Sequence, residues 1–179
     1  MRENLELRHS ELKKLEKLAV ALSGGLDSSF LFVEAAEALG MPLKNIKDGE
    51  FYDRTLINNL LRWISSTKGM RAVEEGGKYT ATDLGLFKYL VMWSSMERLV
   101  ARSVDIYREL YRYGTINAWY DKDRIRIEFR DKNRIPEDCA AWKGAMEGFL
   151  RLTHTKGRVE EKECVHDGAD RCLYEILLE

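Results

Sequence analysis

Proline is nearly absent from this 179-residue chain, at two residues, and cysteine is scarce, at three. Neither sign of charge dominates: 29 Lys and Arg stand against 30 Asp and Glu, for a net charge of −1. Long apolar runs are missing as well. Each shortage excludes something. An odd, small cysteine count argues against a secreted disulfide framework. The charge balance holds in both parts, with 13 basic and 13 acidic residues over 1–90 and 16 and 17 over the remainder. No global field therefore draws in nucleic acid or an anionic membrane. Without about 20 successive apolar residues, no membrane span is expected. The opening Met1-Arg-Glu-Asn-Leu-Glu is charged and lacks the apolar core of a signal peptide. The expectation is a cytoplasmic protein without a membrane partner, its thiols reduced or held by metal. Few prolines with abundant Lys and Glu would also suit a thermophile.

All three cysteines fall in the last 41 residues. Cys139 stands in Pro136-Glu-Asp-Cys-Ala-Ala-Trp142, and Glu161-Lys-Glu-Cys164-Val-His-Asp-Gly168 leads to Cys172. Three thiols and a carboxylate make a full tetrahedral set for Zn2+. His166 competes with Glu161 for the fourth position. A reversible Cys164–Cys172 disulfide, as in a redox sensor, is another reading of the same residues.

Hydrophobic spacing organises the rest. Leucines at 5, 12, 15, 18 and 22 predict a helix over 3–22, and Gly24-Gly25 breaks it. Asp27 would cap a second helix, Phe30 to Leu39, and a third runs from about Phe51 to Ser65, ended by Lys68-Gly69. Met70–Val73 and Lys78–Ala81 around Glu74-Glu-Gly-Gly77 predict a β-hairpin. Thr82-Asp83 would cap a long helix, Leu84 to Arg112. Strands follow at 115–120 and 124–130, the second alternating Ile125, Ile127 and Phe129 against Arg124, Arg126, Glu128 and Arg130. A helix over 137–153 and strands at 158–163 and 171–177 complete the chain, with Gly168 turning the last two together. The fold class is α+β: a winged-helix-like N-terminal helical region over 1–83, then a mixed α/β domain over 84–179 whose antiparallel sheet packs on helices.

On this pattern residues 115–179 resemble the vinyl-4-reductase-type domain, and the likeness extends loosely through the helix from 84. The residues that carry it are the alternating strand, Cys139-Ala-Ala-Trp142, Gly144-Ala-Met-Glu-Gly148, Glu161-x-x-Cys164, the Gly168 turn and Cys172-Leu-Tyr174. That family is named for a bacteriochlorophyll biosynthesis protein and also forms the sensor of phenol-responsive transcriptional activators. The resemblance implies a structural zinc on Cys139, Glu161, Cys164 and Cys172, closed to further ligands. It also implies a small hydrophobic or aromatic ligand between the helix layer and the sheet. Candidate ligand-binding residues are Trp93, Met96, Tyr107, Tyr111, Trp119, Trp142 and Met146, an aromatic and Met-rich set suited to an apolar pocket. The same spacing is also that of an ordinary core.

Residues 28–83 resemble a winged helix-turn-helix, with Val73-Glu-Glu-Gly-Gly-Lys-Tyr-Thr-Ala-Thr-Asp-Leu-Gly85 as the wing. The same fold serves as a dimerisation domain in some small-molecule methyltransferases. Arg54, Asn58, Asn59 and Arg62 would reach base edges, and Lys68, Arg71 and Lys78 phosphates. Asp48, Glu50 and Asp53 at the helix start work against DNA. Separately, Ser23-Gly-Gly-Leu-Asp-Ser-Ser29 matches the phosphate loop of ATP pyrophosphatases, whose amides cradle pyrophosphate. A helix break followed by an Asp cap explains the same residues. No catalytic dyad is visible. The layout resembles archaeal regulators, so the expectation is a homodimeric small-molecule or redox sensor that controls transcription through DNA. An enzyme or accessory protein of tetrapyrrole-type metabolism is the alternative, and pyrophosphatase-like activity at Ser23–Ser29 a second.

Overall fold

The computed structural model describes residues 54–82, 94–111 and 113–179. Helix α1, Arg54–Lys68, carries Lys68 in its last turn, where a cation suits the carbonyl end of the helix dipole. Gly69 stops it, at φ +86°, a left-handed position that favours glycine. This is the helix and the stop that the spacing predicts. The expected helices over 3–22 and 30–39 lie outside the described residues.

Helix α2, Met70–Thr82, is where the expectation fails. The segment read as a β-hairpin, and hence as a wing, is helical through Gly76-Gly77, so the winged-helix region does not stand. Two glycines inside a helix cost about 1 kcal/mol each against alanine. Packing offsets that. Val73 and Gly77 are buried one turn apart, and a β-carbon on Gly77 would lie 2.0 Å from the Ala141 carbonyl oxygen. On the solvent side, Lys78 pairs with Glu75 at 3.0 Å and with Glu74 at 3.9 Å.

Helix α3, Met96–Leu110, is the described part of the expected long helix. Ser95 caps it by accepting from the Arg98 amide at 3.4 Å, with Glu97 in the first turn. The chain is therefore not continuously helical from 84 to 112: it is non-helical at Ser94-Ser95 and starts afresh. Strands β1, Thr115–Asp121, and β2, Arg124–Arg130, form a hairpin about Lys122-Asp123. Helix α4, Pro136–Leu152, opens with proline and an acidic first turn, Glu137 and Asp138. Strands β3, Gly157–Glu163, and β4, Cys172–Leu178, close an antiparallel sheet of order β1-β2-β4-β3.

Helix α4 organises the layers. Its glycines meet α2: a β-carbon on Gly144 would lie 1.9 Å from the Glu74 carbonyl oxygen, and one on Gly148 2.3 Å from that of Lys78. The inner face of the sheet supplies the core, with Ile125, Phe129, Cys172 and Tyr174 fully buried. The outer face is a lattice of charge. Glu128, 4% exposed, takes Arg130 at 2.7 Å and Arg171 at 2.6 Å, and Glu175 takes Arg126 at 3.0 Å. The Arg130 hydrogen bond, then that of Arg171, holds the Glu128 carboxyl below its ordinary range against the effect of burial.

Two outcomes are expected. Gly144→Ala forces a methyl into backbone and destabilises by about 3 kcal/mol or more. Gly76→Ala, with nothing within 4 Å, is neutral or stabilising by up to about 1 kcal/mol. Urea midpoints of the two variants check the pair. Because the Glu128 pKa is depressed on folding, its contribution is present above the ordinary carboxylate range and is lost as pH falls through the lowered value. Glu128→Gln should therefore flatten the acid limb of a stability–pH curve.

Candidate functional site

Three elements deliver four potential ligands to one point. Cys139 comes from the first turn of α4, and Glu161 from β3. Cys164 follows β3 and precedes a 3-10 turn, Val165–Asp167. Cys172 opens β4. Gly168, at φ +90°, reverses the chain between the last two, and the Asp167 and Ala169 amides both donate to the Cys164 carbonyl, at 3.0 and 3.1 Å. The Tyr174 hydroxyl donates to the Cys139 carbonyl at 3.2 Å, tying helix to sheet.

The sulfurs form a nearly equilateral triangle. Cys139 Sγ lies 4.0 Å from Cys164 Sγ and 3.8 Å from Cys172 Sγ, and Cys164 and Cys172 are 3.9 Å apart. One carboxylate oxygen of Glu161 joins them, all four ligand atoms lying within 4.8 Å of one another. A tetrahedral ion with metal–sulfur bonds of about 2.3 Å requires a sulfur–sulfur edge of about 3.8 Å. His166 is exposed and stands at the wall of a cleft beside the cluster, outside the ligand set.

The surroundings treat the thiols differently. Cys172 is held below the usual thiol range because the Cys139 S–H donates to it. Cys139 is pushed up in return, by that same hydrogen bond and by burial. Burial raises Cys164 to about 11. Arg134 bears on Cys139 and Cys172 as a buried positive charge that favours their thiolates. Its side chain is 1% exposed, lies 3.2 Å from Asp138 and sits over the Phe129 ring at 4.3 Å. Sequence reasoning missed it. The visible signal was an Arg and an Asp one helical turn apart, just before Cys139. Lys143 and Glu74, beside the same cleft, were also missed, because only the α2–α4 contact brings them there.

The other candidates separate. Tyr107, Tyr111 and Trp142 meet, with ring centroids 4.7 to 5.7 Å apart. Phe129 joins them at 4.9 Å from Trp142. These rings pack on each other within the core. Burial lifts the Tyr107 hydroxyl to about 12. Met96 and Met146 belong to the same core, Trp119 stands apart at 50% exposure, and Trp93 lies outside the described residues. Of the DNA candidates, Arg54 is bonded to Asp131 at 2.6 Å beneath the Tyr113 ring, and Lys78 to Glu147 at 2.7 Å. Asn58 is half-buried, while Arg62 and Lys68 are exposed on a helix with no wing beside it. The phosphate-loop match at Ser23–Ser29 lies outside the described residues. No described helix is long and apolar enough to cross a membrane.

No protein-family model matches the chain, and no curated protein does. Solved structures do, among them several H-NOX proteins. An H-NOX protein from S. oneidensis in the Fe(II) ligation state, carrying three alanine substitutions, aligns at 16% identity and a TM-score of 0.66, over 94% of this chain and 94% of that one. An oxygen-binding H-NOX domain related to soluble guanylate cyclases aligns at 15% identity and 0.63, over 97% and 94%. A structure probing heme distortion in the H-NOX family aligns at 15% and 0.64, over 94% and 91%. These matches correct the vinyl-4-reductase resemblance and the structural zinc that it implied, and they lend no support to the tetrapyrrole alternative or to the transcriptional role. What the chain shares with these proteins is the fold of the H-NOX domain.

Proposed function

We propose that this chain is a small-molecule sensor domain whose working centre is the cluster of Cys139, Glu161, Cys164 and Cys172, acting as a site for a thiophilic cation. The observation that carries the reading is the sulfur triangle, whose edges of 3.8 to 4.0 Å suit tetrahedral coordination. Three sulfurs select a soft ion over magnesium or calcium, which take oxygen. Three buried sulfurs beside an exposed carboxylate give a thiophilic cation a complete donor set in one place.

Heme, named for a neighbour, does not fit the described residues. An axial ligand from histidine, cysteine, methionine or tyrosine must face a slot wide enough for a porphyrin. His154 and His166 are both exposed. The cysteines turn toward one another, and the buried tyrosines Tyr107 and Tyr174 are packed against rings or hydrogen-bonded to backbone. No step of the proposed function runs through heme.

A second reading has the same geometry behind it. Cys164 and Cys172 Sγ are 3.9 Å apart, so a modest approach joins them; two thiols and a peroxide would yield a disulfide and water. One experiment separates the two. Elemental analysis and thiol titration of the full chain purified under reducing conditions should give about one soft-metal equivalent, with the thiols unreactive until a chelator is added. Cys172→Ser should lower the metal content at least about tenfold. Three thiols reactive in the native, metal-free chain, with two lost to peroxide, would replace the metal site by the redox switch. A Soret absorbance in the purified chain would overturn both.

A further inference from the structure

Resting on the metal-site reading above, we infer that Glu161 is an exchangeable ligand and that a low-molecular-weight thiol displaces it. The four groups differ in access. Cys172 has no exposure, and Cys139 and Cys164 are 5% and 7% exposed, whereas Glu161 is an exposed residue. A cleft of about 260 Å³ reaches the cluster, walled by Cys139, Cys164 and Glu161 but not by Cys172. The cluster is thus a floor of three sulfurs with its fourth position turned to a cavity. That volume is several times the roughly 30 Å³ share of one water, so it admits a molecule of a few heavy atoms.

Backbone geometry supports a movable carboxylate. Glu161 stands opposite Tyr174, and the register of β3 against β4 shifts between Glu161 and Glu163. Such irregularities re-aim side chains at functional sites. The ladder is already interrupted beside Glu161, so its side chain can leave the cluster without unzipping β3 from β4.

Donor chemistry and charge then select the occupant. A carboxylate is the hardest of the four donors, and a thiophilic cation exchanges it for sulfur readily. Around the cleft, the carboxylates of Glu74, Glu161 and Asp167 stand against the single ammonium of Lys143, which lies 3.6 Å from Glu74. This mouth has no excess of positive charge to attract an anion, so the ligand arrives neutral, as a thiol. A metal–sulfur bond forms and the metal–oxygen bond to Glu161 breaks. The S–H proton passes to the released carboxylate and from there to solvent. No electrons change hands, and the site goes from three thiolates to four.

The test uses the full chain loaded with cobalt(II) and 2-mercaptoethanol as probe. The expected result is a thiolate-to-cobalt absorption band that rises saturably, by about a third as a fourth thiolate joins three, with cobalt still bound after gel filtration. Ethylene glycol, the oxygen counterpart, leaves the band unchanged. Glu161→Gln, which keeps the three sulfurs and weakens the fourth donor, should bind the probe about tenfold more tightly. A thiolate band that ignores the probe, or cobalt stripped by it, overturns the exchange and leaves the metal site standing. No thiolate band at any cobalt concentration overturns the metal site beneath it.

Discussion

The backbone contact between α2 and α4 is the constraint on which the remaining arrangement depends. Gly77, Gly144 and Gly148 put no β-carbon where the two helices cross most closely, and the Ala141, Glu74 and Lys78 carbonyl oxygens lie 1.9 to 2.3 Å from where those carbons would be. The closeness fixes α4 against a rigid partner on one side. At about 100° per residue, Gly144 and Gly148 lie roughly 140° to 180° around the helix from Cys139. The same helix therefore presents glycines to α2 and a thiol toward β4. Moving α4 outward to admit a side chain at the crossing would shift Cys139 against the sheet that carries its partners. The contact also brings Glu74 and Lys143 to the mouth of the thiol cluster, since one belongs to α2 and the other to α4.

The sheet separates two kinds of chemistry. Its outer face neutralises charge pairwise, so that Glu128 can be 4% exposed and still ionised between Arg130 and Arg171. Its inner face is aromatic at the β1–β2 end and sulfur-rich where β4 begins. Between these lies Arg134, buried with Asp138 as partner and stacked on Phe129. A buried cation beside Cys139 and Cys172 lowers the cost of ionising one of them. The depressed Cys172 and the elevated Cys139 are two sides of one shared hydrogen bond.

Much of this was legible in the residues. Strand β2 declares itself by alternation, and Ile125 and Phe129 are indeed fully buried while Arg126 and Arg130 are exposed. The grouping of all three cysteines near Glu161 pointed to a shared site, and the four groups do converge. The segment at Gly76-Gly77 was not legible. Adjacent glycines between apolar runs are a turn signal in isolation, and only the facing glycines of α4, some 70 residues away, make a helix the better solution. The break before α3 was missed because a run of apolar and aromatic residues masks a Ser cap at position 95. The family resemblance rested on short motifs in the last third, which fix local turns and ligand spacing. The matches to H-NOX structures extend over 94% or more of the chain, and it is that wider agreement which identifies the fold.

The cysteine cluster itself looks different once its exposure is known. The family resemblance implied a closed staple, since four donors fill a tetrahedron. A purely structural site gains from burying all four, because water and competing ligands are then excluded. Here the gradient runs from Cys172, fully buried at the foot of β4, to Glu161 on an irregular edge strand beside open space. Three donors are locked by helix, turn and sheet, and the fourth is held by the least regular part of β3. An arrangement that only had to hold α4 to the sheet would need no such asymmetry, because Tyr174 already ties Cys139 in place through its hydroxyl. The asymmetry is what a site that answers to a small molecule requires: a fixed part that keeps the fold, and one ligand free to leave.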